Sequence, residues 1–307
     1  MSHTPVLYVE ALQALSIKPG GRYLDATFGR GGHAKGILNS LGAAGQLFAM
    51  DKDARAKDHA FEYCKQEPRL VFRKGSFANM DEFLRDESVY GDLDGIFMDL
   101  GVSSPQLDSP ARGFSFSHDG PLDMRMDTST GLTAAQLVNT ASQAEITKIL
   151  KVYGEERYAG RIARAIVQAR TESEFTTTFE LADIVRAANP NWERGKDPAT
   201  RSFQAFRIEV NQELKDLEMG LERSIHALRP GGILVVISFH SLEDRIVKQF
   251  MRGRARPAPQ PRRMPPSPDI FHAELKIMDK LRRPQEAEIA SNPRARSAIM
   301  RVAERLA

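Results

Sequence analysis

Continuous apolar runs, most of them followed by a polar or acidic residue, recur along the chain and predict the strands of a sheet. We expect strands at 23–26, 45–51, 70–74, 93–100, 232–238 and 297–303. Such runs are typical of strands buried on both faces of a parallel sheet. Helices are expected between the early strands, at 4–15 and 33–40. This alternation of strand and helix favours an open α/β sheet.

The interval between the fourth and fifth predicted strands determines the domain organisation. It spans about 130 residues, whereas a crossover usually needs only a helix and short loops. Three capping-box sequences begin helices within it, at 133–136, 142–145 and 177–180. We interpret 113–209 as a helical insertion into a discontinuous core, 1–112 and 210–307, with one long helix near 203–228 leading back to the sheet. The insertion is either a helical cap over the core or a substrate-recognition domain.

Residues 22–34 combine a strand that ends in an acid with a glycine-rich turn and the start of a helix. The spacing Gly29-x-Gly31-x-x-Ala34 fits the dinucleotide-binding fingerprint, in which a pyrophosphate lies at the helix start. Asp25 stands four residues before Gly29, where a carboxylate would repel a pyrophosphate. A negative charge there suits S-adenosylmethionine, which carries a sulfonium and an ammonium group, better than it suits NAD.

Polar residues at the ends of the predicted strands would form one cofactor pocket, because ligands of open α/β sheets bind at the carboxyl ends of the strands. The glycine loop and His33 would face the methionyl part. Asp51, 20 residues after Gly31, is placed to bind the ribose hydroxyl groups. Phe77 would pack on the adenine, and Asp99 would lie closest to the reacting methyl group. Each residue alone is also compatible with an ordinary turn, and His33 with local packing.

Composition narrows the class of protein further. The chain has 307 residues, of which 41% are hydrophobic and 27% charged, as in ordinary globular proteins of one large or two moderate domains. It has no apolar run of about 18 residues and no signal peptide pattern, so we expect a cytoplasmic protein without a membrane partner. The single cysteine, Cys64, predicts no intrachain disulfide, and the scattered histidines predict no metal site.

Long motifs are spread along the chain: His3-Thr-Pro-Val6, Thr27-Phe-Gly-Arg-Gly-Gly-His33, Asp99-Leu-Gly-Val-Ser-Ser-Pro-Gln106, Arg112-Gly-Phe-Ser-Phe116, Gly120-Pro-Leu-Asp-Met-Arg-Met126, Tyr153-Gly-Glu-Glu-Arg157, Ser238-Phe-His-Ser-Leu-Glu-Asp-Arg245 and Asn292-Pro-Arg-Ala-Arg-Ser297. Together they closely resemble the bacterial RsmH (MraW) family. The resemblance implies a Rossmann-like class I S-adenosylmethionine-dependent methyltransferase fold. It implies methylation of N4 of a cytosine in the decoding centre of small-subunit (16S) ribosomal RNA. It also implies cofactor contacts at Gly31, Gly32, His33, Asp51, Phe77, Asp99 and Gln106.

The residue chemistry agrees with an amine acceptor. Methylation of carbon 5 of a pyrimidine needs a cysteine nucleophile, and Cys64 is expected in a helix far from the loop after the fourth strand. An exocyclic amine needs no covalent step but must be oriented toward the methyl group, and such positioning can be worth roughly 7–11 kcal/mol. We expect Asp99, Ser103 and Ser104 to accept hydrogen bonds near N4, with the proton leaving through Asp99 or to water.

The target base must be unstacked to enter such a pocket, and a flipped base needs an aromatic platform. Phe239, after the fifth strand, is one candidate, and Phe114 and Phe116 are others. An ordinary core phenylalanine is an equal alternative for Phe239.

Two basic clusters would contact the RNA phosphates. Arg157, Arg161 and Arg164, with Arg170 beyond, are expected on one helical face. Residues 251–263 hold five arginines and no acid, in a proline-rich stretch. A solvated charged face is the alternative for both clusters.

Two other functions stay open. A methyltransferase acting on an amine of a protein or small molecule is disfavoured by the arginine clusters and the large insertion. A non-catalytic nucleotide- or RNA-binding module is disfavoured by the acids at the strand ends. The sequence leaves open whether the protein is a homodimer and whether its substrate is naked rRNA or the assembled small subunit.

Overall fold

The structure, a computed structural model, describes residues 5–190, 195, 197–257, 271–278 and 281–307. The chain divides into two compact units. One unit comprises Met1–Gly101 together with Leu214–Ala307, and the other comprises Val102–Glu213. The second unit therefore extends beyond the predicted insertion, 113–209, at both ends. Among the described residues, no helix has the length and apolar character needed to cross a membrane.

The first unit contains a seven-stranded sheet with the strand order β3-β2-β1-β4-β5-β7-β6. Strands β1 to β5 run parallel to one another, whereas β7 is antiparallel to β5 and to β6. This order, which reverses at β1, confirms the predicted Rossmann-like α/β sheet. The strands are β1 Arg22–Asp25, β2 Gln46–Asp51, β3 Leu70–Lys74, β4 Leu93–Asp99, β5 Leu228–Ser238, β6 Leu275–Ile277 and β7 Ile299–Arg305.

Helices connect these strands and cover the sheet. In the first unit they are α1 Tyr8–Leu15, α2 Gly32–Ser40, α3 Ala54–Gln66, α4 Met80–Asp86, α12 Ser241–Ala255 and α13 Glu286–Ser291, with α11 Glu213–Ala227 joining it from its second residue onward. In the second unit they are α5 Ser104–Asp108, α6 Ala134–Thr140, α7 Gln143–Tyr153, α8 Ala159–Ala169, α9 Thr178–Ala188 and α10 Ala199–Asn211.

The central strands are apolar on both faces because each face carries its own core. Alternate residues point to opposite sides, so Leu24 and Ile96 join one buried cluster, and Tyr23 and Phe97 join the other. Each fully buried side chain of this size stabilises the fold by about 1.5–3 kcal/mol. The continuous apolar runs of the sequence are the direct consequence of this double burial.

One strand was not predicted from the sequence, and two helices were wrongly predicted as one. Strand β6 has only three residues, of which Leu275 alone is buried. It is therefore too short to show the apolar pattern that predicts a strand. The predicted long helix near 203–228 is two helices, because Gln212 adopts a left-handed conformation with φ 52° and ends α10. The amide of Asn211 fixes this break by donating to the Met124 carbonyl at 2.8 Å. An ion pair between Arg207 and Glu213 spans it at 2.8 Å.

The second unit is helical, as predicted, and packs its own apolar core. All three predicted capping boxes form. Thr133, Ser142 and Thr177 each accept a hydrogen bond from the backbone three residues later, at the starts of α6, α7 and α9.

Candidate active site

The glycine loop turns the chain from β1 into α2 with almost no room for side chains. Gly29 and Gly31 have φ angles of 54° and 75°, which L side chains rarely adopt. A Cβ on Gly31 would lie 2.8 Å from the Phe28 ring, and one on Gly32 would lie 2.6 Å from Pro5. The loop therefore brings bare backbone, and the N–H groups at the start of α2, to the carboxyl end of the sheet.

Hydrogen bonds tie this loop to the ends of the neighbouring strands. The Gly29 N–H donates to Oδ2 of Asp51 at 2.7 Å, and the Asp53 N–H donates to Oδ1 of Asp51 at 2.8 Å. The Asp99 N–H donates to Oγ1 of Thr27 at 2.6 Å. The ends of β1, β2 and β4 thus meet at the loop, and the cofactor pocket predicted there stays a prediction.

Asp99 ends β4 with a carboxyl group in an unusual environment. Its side chain is 26% exposed, yet Oδ1 is buried and has no hydrogen-bond partner among the described residues. Its Oδ2 lies 3.7 Å from Nδ1 of His33. Burial raises the pKa of Asp99 well above its ordinary value, and the nearby carboxylates of Asp25 and Glu243 raise it further. An orphaned buried oxygen at this position is suited to accept a hydrogen from a ligand.

His33 is built into the fold and also borders the site. Its ring is buried, packs 4.4 Å from the Phe97 ring, and places Nε2 3.1 Å from the Val6 carbonyl oxygen. Because that carbonyl can only accept, Nε2 carries the proton and donates. His33 therefore packs within the fold, as one of the two interpretations of the sequence had it. Its Nδ1 faces Asp99.

Asp25 is the most deeply buried acid of the site. Its side chain accepts a hydrogen bond from the Thr27 N–H at 3.1 Å, and the residue is 1% exposed. Burial raises the pKa of Asp25 to about 7, against the effect of that hydrogen bond and in the same direction as the charge of Asp51.

Four acids from four different elements of the first unit thus interact in sequence, Asp51 with Asp25, Asp25 with Asp99, and Asp99 with Glu243. The carboxylates of Asp51 and Asp25 raise the pKa of Asp25 and Asp99 respectively, and that of Glu243 also raises the pKa of Asp99. Mutual repulsion of this kind disfavours an anion and favours a cationic ligand. The residues present therefore fit S-adenosylmethionine, with its two positive charges beside a bare glycine cradle.

Glu243 is a site residue that the sequence analysis did not identify. It lies in the first turn of α12, is 2% exposed, and its Oε2 accepts hydrogen bonds from the N–H groups of Phe239 and His240 at 2.8 and 3.2 Å. A Cβ on Gly101 would lie 3.8 Å from the Phe239 ring and 3.9 Å from Oε1 of Glu243. Phe239 and Glu243 therefore lie beside the chain that follows Asp99. The histidine-x-x-glutamate spacing of a capping box was the available signal.

Phe77 lies after β3 and is held by packing. Its ring contacts α11 at Gly220, where a Cβ would come within 2.5 Å of the ring. Ser76 donates to Oδ2 of Asp216 at 2.6 Å, and Nζ of Lys52 is 2.5 Å from the same oxygen. The turn that would offer Phe77 to an adenine is thus anchored to α11, and the adenine contact itself stays a prediction.

Ser103, Ser104 and Gln106 belong to the second unit. The Ser103 N–H donates to Oε1 of Gln106 at 2.7 Å, in a capping box that starts α5 at Ser104. Gln106 is buried. The loop is thus ordered by its own hydrogen bonds, and its predicted contacts with cofactor and amine stay predictions.

The other candidate aromatics are core residues of the second unit. Phe114 is buried, with the guanidinium of Arg112 5.5 Å from its ring centre. Phe116 packs edge-on against Phe203 with the ring centres 4.7 Å apart. Phe239 is likewise half-buried and packs against an apolar core of the first unit, so stacking of any of these rings on a base stays a prediction.

The arginine face of α8 differs in part from the prediction. Arg161 and Arg164 are exposed on the helix, whereas Arg157 is exposed but precedes its first residue, Ala159. Arg170 is half-buried, and its Nη1 donates to two backbone carbonyl groups at 2.7 Å each, while its contact with RNA stays a prediction. Residues 258–263 of the second basic cluster lie outside the described residues.

Comparison with known proteins gives matches over the whole chain. A family model described as the MraW methylase family matches residues 1–306. Two curated proteins, from Legionella pneumophila strain Paris and L. pneumophila subsp. pneumophila strain Philadelphia 1, are each 52% identical over 305 residues, 99% of either chain. Both are named Ribosomal RNA small subunit methyltransferase H.

Solved structures are more distant. A rRNA methylase from Streptococcus thermophilus covers 100% of both chains with 9% identity and a TM-score of 0.45. A SAM-dependent methyltransferase from Aquifex aeolicus covers 98% of this chain and 90% of its own, with 10% identity and a TM-score of 0.40.

Proposed function

Because this chain belongs to the MraW methylase family, we propose that it methylates the N4 amine of a cytosine in the decoding centre of 16S ribosomal RNA. The protein is a methyltransferase, and S-adenosylmethionine is its cofactor. The names of the curated relatives support small-subunit rRNA as the substrate. The residues around Asp99 support an amine as the acceptor of the methyl group.

The observation that supports the proposal most is the buried Oδ1 of Asp99, which has no hydrogen-bond partner among the described residues and lies near other acids. S-adenosylmethionine supplies an electrophilic methyl group when it is bound. Gly31, Gly32, His33, Asp51 and Phe77 are the residues that would hold it, together with Asp99 and Gln106.

Asp99 is proposed to position the acceptor amine. A positive charge beside the acids lowers the pKa of Asp99, since the cation stabilises its ionised form. The carboxylate then accepts a hydrogen from N4 through Oδ1 and aims the nitrogen lone pair. The amine proton leaves through Asp99 or to water.

The single cysteine supports an amine rather than ring carbon 5 as the acceptor. Cys64 lies on α3, half-buried against the apolar core of the first unit. Burial raises the pKa of its thiol, which disfavours the thiolate that a covalent mechanism requires. An exocyclic amine needs only orientation and removal of a proton.

The remaining site residues are assigned by their places in the two units. Ser103 and Ser104 would contribute further hydrogen-bond acceptors for the amine, and Phe239 would stack on the flipped cytosine. The helical unit would recognise the RNA, with the exposed Arg157 and Arg161 contacting phosphates. We place this reaction in the cytoplasm, with rRNA in the small subunit as the substrate.

The acceptor class is tested by incubating the protein with S-adenosylmethionine carrying a labelled methyl group. Naked 16S rRNA, small subunits and whole-cell protein are supplied in separate reactions, and the label is mapped in each. We expect label in 16S rRNA, in one or both RNA-containing reactions. Label in protein alone would contradict the proposal and favour a protein amine as the acceptor.

A further inference from the structure

A basic cavity of about 260 Å³ lies in the first unit, between α12 and strands β6 and β7. Its cationic walls are Lys248, Arg252, Arg256 and Arg301, and none of the described residues that line it is acidic. The cavity is separate from the acids of the active site, and nothing in the proposed chemistry of methyl transfer uses it.

The sequence builds this cavity from one helix face and one strand. Lys248 and Arg252 are one turn apart on α12, and Arg256 follows as its C-terminal cap. Arg301 on β7 is fixed by a two-pronged ion pair with Asp244, at 2.7 and 3.0 Å. The guanidinium of Arg301 is therefore held in place, while the other cations reach the cavity from the opposite wall.

Ion pairs among the described residues do not explain why Lys248, Arg252 and Arg256 are gathered at the cavity. Among the described residues, the side chains of Lys248, Arg252 and Arg256 have no ion pair, whereas Arg254 on the same helix pairs with two glutamates. Like charges four residues apart on a helix repel each other and destabilise it. The helix end attracts cations and can account for Arg252. It does not account for the meeting of Lys248 and Arg301 at one cavity.

The floor of the cavity is apolar. Met251 and Val302 are buried beneath the cations, and Ile277 is exposed beside them. A phosphodiester fits this arrangement, since its oxygens meet the cations and its sugar meets the apolar floor. Arginine in particular binds phosphate with paired hydrogen bonds.

The cavity is within reach of nucleotides that flank the target base. Glu243, beside the active site, lies in the first turn of α12, and the last turn of the same helix lines the cavity. At about 1.5 Å per residue, Lys248 lies roughly 7 Å and Arg256 roughly 20 Å along the helix from Glu243. An RNA strand whose target base enters the active site can lay a neighbouring phosphate here.

We propose that this cavity binds a backbone phosphate of the substrate RNA and thereby sets the affinity for RNA, not the rate of methyl transfer. This inference rests on the proposed function. It is tested with the triple variant Lys248→Gln, Arg252→Gln, Arg256→Gln. The matched control neutralises three exposed lysines elsewhere in the first unit, Lys57→Gln, Lys65→Gln and Lys215→Gln, with the same loss of charge.

Wild-type protein must first methylate 16S rRNA or small subunits, because failure at this step concerns the proposed function alone. The cavity variant should then raise KM for RNA at least tenfold, while kcat and the Kd of S-adenosylmethionine stay unchanged. The slope of log Kd for RNA against log salt should become less steep by about 0.7, the contribution of one single-strand phosphate contact.

Three outcomes overturn the proposal: an unchanged KM and salt slope, an equal effect of the control variant, or a loss of kcat at saturating RNA. Should the triple variant not fold, Arg256→Gln alone changes an exposed residue beyond the helix and should still raise KM. Inorganic phosphate separates the ligand sources. If phosphate binds the wild type but not the cavity variant while KM for RNA is unaltered, the cavity holds a free anion and not RNA.

Discussion

Asp25 is a buried carboxyl group whose charge should destabilise the cofactor-free protein. Burial raises its pKa from 3.8 to about 7. Since each pKa unit corresponds to about 1.4 kcal/mol, the charge costs roughly 4 kcal/mol at full ionisation. Below pH 3.8 the group is protonated in both the folded and the unfolded chain, so the cost is absent. It grows as the pH rises and is complete above about 7.

Asp25→Asn removes this charge and keeps an oxygen that accepts from the Thr27 N–H. Urea unfolding without cofactor, from pH 4 to pH 8, measures the effect. At pH 8 the variant should be more stable than the wild type by up to about 4 kcal/mol, and at pH 4 by less than about 1 kcal/mol. The same variant should bind S-adenosylmethionine more weakly.

Asp58→Asn, which alters an exposed carboxyl group on α3, is the control and should give a difference that does not vary with pH. The reasoning is refuted if Asp25→Asn is no more stable than the wild type at pH 8, or if its affinity for S-adenosylmethionine is unchanged.

Three further substitutions probe other parts of the site. Gly31→Ala forces a side chain into a left-handed turn and against Phe28, so it should cost about 1–2 kcal/mol of stability. It should also weaken cofactor binding in titration calorimetry, and an unaltered Kd would contradict the proposed role of the glycine loop. Glu243→Gln keeps an acceptor for the Phe239 N–H but removes a charge that raises the pKa of Asp99, so the acid limb of the pH–activity profile should move to lower pH; a limb that stays in place contradicts this role. Phe239→Ala should lower kcat/KM for RNA by roughly 5- to 150-fold, the loss of 1–3 kcal/mol of stacking, and Phe239→Tyr should retain it; an unchanged kcat/KM for Phe239→Ala excludes stacking on the cytosine.

The sheet could be predicted because its strands are buried on both faces. Strand β3 was predicted at its observed bounds, and most others shift by one or two residues. The break at Gln212 could not be predicted, because no glycine or proline marks it. Its left-handed backbone is held by tertiary hydrogen bonds of Asn211, which the local pattern does not contain.

The site was predictable where chain order determines geometry. Asp25, Asp51 and Asp99 end parallel strands, so the rule for such sheets brings them together. Glu243 joins them only because the first turn of α12 packs against the chain after β4. No periodic pattern in the sequence indicates this tertiary contact. Arg170 shows what the sequence could not predict, since the guanidinium of this basic residue also donates to backbone carbonyl groups of the fold.

The most direct test of the central claim is the chemical identity of the methylated nucleoside. Wild-type protein and Asp99→Asn are incubated with 16S rRNA or small subunits and S-adenosylmethionine carrying a deuterated methyl group, and the RNA is digested to nucleosides for mass spectrometry. The account predicts N4-methylcytidine from the wild type and a strongly reduced rate from Asp99→Asn. A label on carbon 5 of the pyrimidine, or on another base, would contradict it.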